Sequence, residues 1–518
     1  MSKKFFFLLY ALLWLTSIDV QAIQRGGQIT AATDIEPVSL DPIMGNGFNS
    51  DPNVYNLIYD KLITLDSKGN PTSQLAESWS LASDLKSLTM KLRKGVLFHD
   101  GTPFDALAAK FNLDRVAAPG SKAPASGFVS DIESVVVVDP ETIRIHFKTR
   151  SGPIINTLGR PSVPILAALA IQSGMMVSPT AVKTYGERFG RTPVGTGPFK
   201  FVEWIAGEKI VVTNNPNYWK IAADSKPLPY LDRVTVRFLE TSQSKRELLQ
   251  NGSVQLVDSL SAREWERVRS DKSLELLSRP QISNSFLSFN VTKPPFDNKN
   301  LRRAVAHALN RQRIESLITK GFGQVNATLW GPLDWIYDSS IKAPELSVQK
   351  AAALYRSSGH KGPLTLTVIQ RDPDTQVARL IQEQLKAAGI EVKVNILERT
   401  PAMASVNGKQ YEMALLRGPS PAPDPDITFS AFYGRNAKQN FSGQTDERLF
   451  SAVDRARSVF MKDLRIRHYS DAQQILMDES YYVYIFASPI FEARRRELNG
   501  LKRESVGQWL LTEAWLSK

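Results

Sequence analysis

The pattern that most constrains the fold lies at residues 364–397, where a strand, a helix and a second strand follow one another. Leu364–Ile369 is rich in β-branched residues and alternates with a period of two. Apolar residues at helical spacing follow from Val377, and Gly389 stands where a left-handed residue ends a helix. Residues 390–397 alternate again. A unit of this length predicts a right-handed crossover between two parallel strands.

Arg371 lies in the polar loop that leaves the first of these strands. Open parallel sheets bind ligands outside the carboxyl ends of their strands, where such loops lie. A guanidinium stays charged at working pH and offers a planar fork that fits a carboxylate or a phosphate. Arg371 is therefore a candidate ligand-binding residue, and the alternative is a surface ion pair with Asp372 or Asp374.

The first 22 residues have the pattern of a secretory signal. Lys3 and Lys4 precede an apolar run at 5–15, and residues 20–22 resemble a small-x-small cleavage site. The run is about half of what a bilayer span requires, so an uncleaved anchor fits less well. The 518 residues include no cysteine, which excludes disulfides, thiolate metal sites and a lipid-modified cysteine. We expect a signal peptide at 1–22 and a protein that is soluble in the bacterial periplasm.

The formal net charge is +12, a balance that could attract nucleic acid, anionic lipid or an acidic ligand. The positive residues are interleaved with acids, however. The densest run, 494–496, lies between Glu492 and Glu497. We interpret it as a solvated face and expect no nucleic-acid partner.

Three patterns in the N-terminal half predict local structure. Apolar residues at helical spacing predict a buried helix at 51–65. Asp105 follows a tight turn and is predicted to cap the next helix. Gly195 and Gly197 lie in a turn that a bulky residue would strain, so a structural role is favoured over ligand contact.

Several short motifs occur along the chain in an order typical of one family. They are Leu75-Ala76-Glu77-Ser78-Trp79, Leu92-Arg93-Lys94-Gly95-Val96, Phe98-His99-Asp100-Gly101, Pro193-Val194-Gly195-Thr196-Gly197-Pro198-Phe199, Asn217-Tyr218-Trp219, Phe286-Leu287-Ser288-Phe289-Asn290, Pro295-Phe296-Asp297 and Leu301-Arg302-Arg303-Ala304-Val305. Each motif is weak alone, but the ordered set is specific. The chain resembles the large periplasmic solute-binding proteins of peptide-type ABC importers, the family of the dipeptide- and oligopeptide-binding proteins.

The resemblance implies an α/β fold with two lobes, the large peptide-binding form of the type II periplasmic binding protein fold. The chain would cross between the lobes near 282–289 and 483–488, which are extended and apolar. The predicted boundaries are 23–282 and 487–518 for the first lobe, about 56–180 for an extra subdomain within it, and 283–486 for the second lobe.

The resemblance also favours the ligand-binding role of Arg371. In the dipeptide-binding relatives an arginine at the matching place, also preceded by glutamine, clamps the carboxylate of the ligand. Charge-assisted bidentate hydrogen bonds would be the mechanism here.

One departure from the family concerns the ammonium group of a peptide ligand. Peptide-binding relatives hold it with an aspartate a few residues before an Asp-Pro pair, but residues 418–423, before Asp424 and Pro425, contain no acid. A buried cation without an opposite charge is costly. Either Asp424 or Asp426 therefore binds the ammonium, or the ligand has none there. The second alternative includes modified peptides, opine-like amino-acid conjugates and other small acids.

Two further segments are candidates for the lining of the site. Phe48, Asn49 and Ser50 match the position of a ligand-facing loop in relatives, with an ordinary surface turn as the alternative. Trp330 could supply an aromatic wall, although an aromatic residue near a proline turn often fills a core.

The sequence favours a transport receptor over an enzyme. It contains no nucleophile elbow, phosphate loop, dinucleotide fingerprint or His-Glu-x-x-His motif, and its five histidines have no metal-ligand spacing. We predict a receptor that captures a peptide or peptide-like small carboxylate, as a monomer without cofactor, and delivers it to an inner-membrane ABC permease. The alternatives are a nickel-type metal or metal-complex receptor of the same fold and, less favoured, a periplasmic hydrolase or folding helper.

Overall fold

The computed structural model of the protein describes fourteen segments of the chain. They are residues 23–45, 52–66, 70–84, 86–121, 123–129, 131–148, 154–155, 161–162, 164–332, 334–418, 424–435, 437–459, 461–504 and 508–517. The predicted signal peptide lies outside them.

The strands of the described residues are numbered in chain order. They are β1 (Gln28–Thr33), β2 (Ile63–Leu65), β3 (Pro71–Ser73), β4 (Ala76–Leu81), β5 (Ser87–Leu92), β6 (Ile132–Asp139), β7 (Thr142–Phe147), β8 (Ile154–Ile155), β9 (Pro161–Ser162), β10 (Phe199–Ile205), β11 (Lys209–Asn214), β12 (Arg233–Phe238), β13 (Leu256–Leu260), β14 (Leu274–Phe289), β15 (Leu364–Ile369), β16 (Val392–Leu397), β17 (Met413–Gly418), β18 (Tyr482–Arg495), β19 (Leu498–Asn499), β20 (Lys502–Arg503), β21 (Trp509–Leu510) and β22 (Trp515–Leu516).

The α-helices are numbered in the same way. They are α1 (Pro52–Ile58), α2 (Ala106–Ala117), α3 (Pro164–Leu169), α4 (Pro179–Tyr185), α5 (Ser242–Gln250), α6 (Ala262–Arg267), α7 (Lys299–Ala308), α8 (Arg311–Thr319), α9 (Val348–Ser357), α10 (Asp374–Ala387), α11 (Arg399–Asn407), α12 (Pro425–Phe432), α13 (Glu447–Ser458) and α14 (Lys462–Glu479). Among these described elements, no helix combines the length and the apolar character needed to cross a membrane.

One large sheet connects the two halves of the molecule. Its strand order is β10-β11-β12-β1-β13-β18-β14-β17-β15-β16. β12, β1 and β13 are parallel to one another, and so are β17, β15 and β16. The long strands β18 and β14 run antiparallel to each other and to their outer neighbours. We call the β10–β13 side the first lobe and the β17–β16 side the second lobe.

The carboxyl ends of both parallel groups point toward the junction of the lobes. β18 enters from the second lobe and ends beside β13, so the antiparallel β13 runs toward the second lobe. On the other side β17 ends at Gly418, opposite Asn284 near the middle of β14. The loops that follow the two groups of strands therefore face each other.

The strand, helix and parallel second strand predicted at residues 364–397 are confirmed. β15 and β16 are parallel, with Leu364 opposite Val392, and α10 connects them. Gly389 has a φ of 77°, the left-handed conformation that ends a helix and favours glycine. The second strand begins two residues later than the alternation indicates.

Side chains pack on both faces of the sheet in each lobe. Neighbouring residues of a strand point to opposite faces. Ala31 and Ala32 of β1 accordingly belong to two different hydrophobic clusters, and Leu415 and Leu416 of β17 to two others. A further core, made of residues from Leu62 to Met176 in sequence, packs on the four-stranded sheet β4-β5-β7-β6.

The segments predicted as crossings between the lobes, 282–289 and 483–488, lie within β14 and β18. The predicted lobe boundaries stay predictions.

The helix predicted at 51–65 is wrong in length, because α1 ends at Ile58 and β2 follows. The carbonyl of Ile58 accepts the backbone N–H of Gly197 at 2.9 Å. A Cβ atom on Gly195 or Gly197 would overlap the backbone of Ile58. The two glycines therefore have a structural role, as predicted, but the reason is their close packing against Ile58 and not the conformation of the turn. The same contact lies at the point where α1 ends.

The carboxylate of Asp60, just after α1, is a buried hydrogen-bond centre. It accepts bonds from Gln74 Nε2 at 2.8 Å, Trp219 Nε1 at 2.9 Å, Tyr218 Oη at 3.0 Å and Thr196 Oγ1 at 3.1 Å. Burial raises the pKa of Asp60, while these four donors oppose the shift. Two of the family motifs thus meet at one acid of the first lobe.

Asp105 caps α2 as predicted. Its carboxylate accepts the backbone N–H of Ala108 at 2.9 Å, which satisfies one of the free donors at the start of the helix.

Candidate functional site

Charged residues from both lobes gather at the carboxyl ends of the parallel strands. The residues of this cluster are Asp34, Glu240, Lys245 and Asp258 from the first lobe, and Arg371, Asp372, Asp374, Glu398, Arg399 and Arg417 from the second. This is the place where open α/β sheets bind ligands.

Arg371 follows β15 and is nearly buried, with 8% of its side chain exposed. Its Nε donates to Oδ2 of Asp374 at 2.5 Å. The described residues give neither Nη atom a hydrogen-bond partner. The ion pair that the sequence allowed is therefore formed, but it is buried in the charged cluster and leaves the fork of the guanidinium unbound. Ligand binding by Arg371 stays a prediction.

Arg417 connects the two lobes. Its Nη2 lies 3.4 Å from Oδ2 of Asp34, which follows β1, and donates to the carbonyl of Asp372 at 3.2 Å. Its Nε lies 3.4 Å from Oδ1 of Asp374. A second contact crosses the junction where the backbone N–H of Ser242 meets Oδ2 of Asp372 at 3.4 Å.

The pKa values of Asp34 and Arg399 are shifted by burial and by their neighbours in the cluster. Burial alone would raise the pKa of Asp34, but Lys245, Arg417 and Arg371 outweigh it and hold that pKa well below its usual range. Burial lowers the pKa of Arg399 to about 10, and the like charges of Arg371 and Arg417 add to the effect. Both residues stay charged at neutral pH.

The lowered pKa of Asp34 predicts a pH dependence of stability. A carboxyl whose pKa is lower in the folded than in the unfolded chain stabilises the fold above its unfolded pKa of about 4 and loses this effect as the pH falls below it. The difference between the urea midpoints of wild type and Asp34→Asn is therefore expected to be constant near pH 7 and to shrink progressively as the pH falls below about 4. A difference that stays constant with pH would contradict this assignment.

Asp424 is engaged inside the second lobe. Its two oxygens accept Nη2 and Nη1 of the fully buried Arg465 at 2.8 and 3.1 Å. Oδ1 also accepts the backbone N–H of Asp426 at 2.9 Å, which caps α12. The position predicted for ammonium binding therefore holds a carboxylate that already has a cationic partner.

Asp426 is bound by a second arginine. Its Oδ1 lies 3.0 Å from Nε of Arg457, and Nη2 of Arg457 donates to Asp131 of the first lobe at 2.8 Å. Burial raises the pKa of Asp426 to about 6, with Asp424 and Asp131 adding to the shift and Arg457 opposing it. Arg457 is thus a further bridge between the lobes.

Trp330 is buried, with 1% of its surface exposed, in an aromatic cluster of the second lobe. Its ring stacks on Phe429 of α12 with centroids 4.6 Å apart. Next to it, the carbonyl of Leu329 accepts Nδ2 of Asn284, which lies opposite the end of β17. Trp330 therefore packs near the junction, and its predicted contact with a ligand stays a prediction. Phe48, Asn49 and Ser50 lie outside the described residues.

Sequence reasoning missed Asp34 and Arg417 and took Asp374 only as a surface partner. Arg417 carried a usable signal, because it is a charged residue inside the otherwise apolar strand β17. In the part of the chain that the structure describes, no three His, Cys, Asp or Glu side chains are grouped to hold a metal ion.

A two-lobed α/β fold with a charged junction between its lobes defines a binding protein of the periplasmic solute-receptor class. Comparison with known families identifies it further. The family described as bacterial extracellular solute-binding proteins, family 5 Middle, matches residues 70–440. The chain belongs to this family, which supplies the substrate-binding receptors of peptide-type ABC importers.

Individual relatives agree with this assignment. The glutathione-binding protein GsiB of Pectobacterium atrosepticum is 30% identical over 407 residues, which cover 76% of this chain and 75% of GsiB. The periplasmic binding protein DppA of Helicobacter pylori, solved with the peptide STSA, has a TM-score of 0.84 at 25% identity and covers 96% of this chain and 99% of DppA. AgaA of A. tumefaciens R10, solved with agropinic acid, has a TM-score of 0.83 at 23% identity over 95% of this chain and 99% of AgaA. These relatives are binding proteins.

Proposed function

We propose that the chain is the periplasmic receptor of an ABC importer and that its ligand is a peptide-like small carboxylate. One observation carries the proposal. Arg371 lies nearly buried between the lobes, and the described residues bind its Nε but neither of its Nη atoms. A guanidinium fork of this kind is suited to donate two parallel hydrogen bonds to a carboxylate.

The carboxylate would also explain why closing the lobes is favourable. Closure removes water from the two Nη groups of Arg371, and buried hydrogen-bond donors without a partner are costly. A ligand carboxylate provides that partner and so binds the closed form better than the open form. A ligand shifts such an equilibrium only by this difference in affinity.

The surroundings of Asp424 suggest what the ligand lacks. Arg465 occupies both oxygens of Asp424, and Arg457 is bound to Asp426. A free ammonium next to Asp424 or Asp426 would lie close to an arginine, and each of these acids already has a cationic partner. We therefore favour ligands whose amino group is modified or lies elsewhere, such as modified peptides and opine-like conjugates.

The relatives support this ligand class. GsiB is a glutathione-binding protein, and AgaA was solved with agropinic acid. DppA was solved with a peptide, so unmodified peptides belong in any test as the comparison class.

The test is calorimetry of the mature protein with glutathione, agropinic acid and the peptide STSA, the last also in N-acetylated and C-amidated forms. The proposal expects N-acetylation to be tolerated and loss of the carboxylate to weaken binding at least tenfold. Loss of binding on acetylation alone would overturn the ligand class. Equal affinity for the amide would overturn the carboxylate clamp.

Turnover is not part of the proposed role. Glutathione incubated with the protein is expected to be recovered unchanged, as checked by mass spectrometry. Hydrolysis that scales with protein concentration would show an enzyme instead.

A further inference from the structure

We infer that Asp374 is a positioning residue that holds Arg371 for the ligand and Arg417 for the opposite lobe, and thereby links carboxylate binding to lobe closure. The inference rests on the proposed function, since it assumes that Arg371 binds a carboxylate.

Four charged side chains, each at most 15% exposed, form a continuous chain from the candidate clamp to the first lobe. Nε of Arg371 lies 2.5 Å from Oδ2 of Asp374, and Oδ1 of Asp374 lies 3.4 Å from Nε of Arg417. Nη2 of Arg417 then lies 3.4 Å from Oδ2 of Asp34. Each oxygen of Asp374 therefore contacts a different arginine, and its side chain is 2% exposed.

The way in which Asp374 contacts the arginines leaves their forks available. It meets both guanidinium groups at Nε, so Nη2 of Arg417 is available to Asp34 and the Nη atoms of Arg371 are available to a ligand. A group held in its binding geometry before the ligand arrives loses less entropy on binding.

Charge balance explains why the acid is needed. Arg371 and Arg417 are like charges, and both lower the pKa of Asp34. Without the charge of Asp374 the two guanidinium groups would repel each other and compete for Asp34. Arg371 would then satisfy its fork with Asp34 and lose the geometry that a ligand carboxylate requires.

Asp374 also has a simpler possible role, because it is the first residue of α10. An acid in the first turn stabilises a helix through its dipole. Asp463 is a matched control, since it is an exposed acid in the first turn of α14 and does not belong to the charged cluster.

The test compares the affinity for glutathione of wild type, Asp374→Asn, Asp463→Asn and Arg371→Ala. Simple attraction predicts tighter binding by Asp374→Asn, because a negative charge near the ligand carboxylate is removed. Positioning predicts the opposite, a loss of about tenfold, which is a typical size for coupling between sites. Unchanged or tighter binding by Asp374→Asn, with Arg371→Ala impaired, would overturn the inference alone. Unchanged binding by Arg371→Ala would overturn the clamp itself.

A second measurement reports on lobe closure directly. Asp34→Asn and Asp374→Asn are combined in a double-mutant cycle, with the radius of gyration from X-ray scattering at saturating glutathione and the urea midpoint as readouts. Because both acids act on Arg417, each single variant is expected to be more open than wild type, and the double variant little more so than either. Additive effects, or no change in the radius for Asp374→Asn, would overturn the link to closure. Asp463→Asn is expected to keep the wild-type radius.

Discussion

Arg371→Ala is expected to weaken the binding of a carboxylate ligand by at least tenfold. Hydrogen bonds to charged groups contribute about 1.5–3 kcal/mol each, and each 1.4 kcal/mol is about a factor of ten in affinity. The variant also leaves the negative charge of Asp374 with Arg417 as its remaining arginine contact among those described. That charge then repels the ligand. Calorimetry with glutathione, the ligand named for a relative, measures the change.

Two further variants isolate the cause of this loss. Arg371→Lys keeps the charge but removes the planar fork, so its affinity is expected to fall between those of wild type and Arg371→Ala. Arg379→Ala removes an exposed arginine from α10 and is expected to bind like wild type. Wild-type affinity in Arg371→Ala would remove this residue from the site. Equal losses in Arg371→Ala and Arg379→Ala would point to long-range electrostatics.

The crossover was predictable because its signals are local. Alternation in β15, helical spacing in α10 and the left-handed Gly389 each depend on near neighbours in sequence. Arg371 could be placed at a strand end for the same reason. The end of α1 could not be predicted, because it depends on Gly197, which lies far along the chain from Ile58.

The sequence predicted where the site lies better than it predicted which charged residues form ion pairs within it. The sequence shows Asp424 beside Pro425 but gives no sign that Arg465, 41 residues later, occupies its oxygens. Arg417 and Asp34 are 383 residues apart and come together only because two groups of parallel strands point toward each other. Tertiary ion pairs of this kind follow from topology, and local spacing does not encode them.

Asp60→Ala is expected to destabilise the first lobe by about 3 kcal/mol or more. The substitution leaves four donors, from Gln74, Thr196, Tyr218 and Trp219, without their shared acceptor. A buried donor left without a partner costs about 1–3 kcal/mol, and water entering the small cavity offsets part of the sum. Removal of a buried charge offsets a further part, since burial raises the pKa of Asp60.

Urea unfolding followed by tryptophan fluorescence measures this loss, because Trp219 bonds directly to Asp60. Asp60→Asn keeps the size of the side chain but turns an amide N–H₂ toward the donors, so it is expected to lose nearly as much stability. Asp84→Ala removes an exposed acid of the same lobe and is expected to change stability by at most about 0.5 kcal/mol. Equal stability of Asp60→Ala and Asp84→Ala would show that the hydrogen bonds of Asp60 do not stabilise the contact between the motif of Thr196 and the motif of Tyr218 and Trp219. The ligand affinity of folded Asp60→Ala is expected to stay close to that of wild type, because Asp60 lies outside the charged cluster between the lobes.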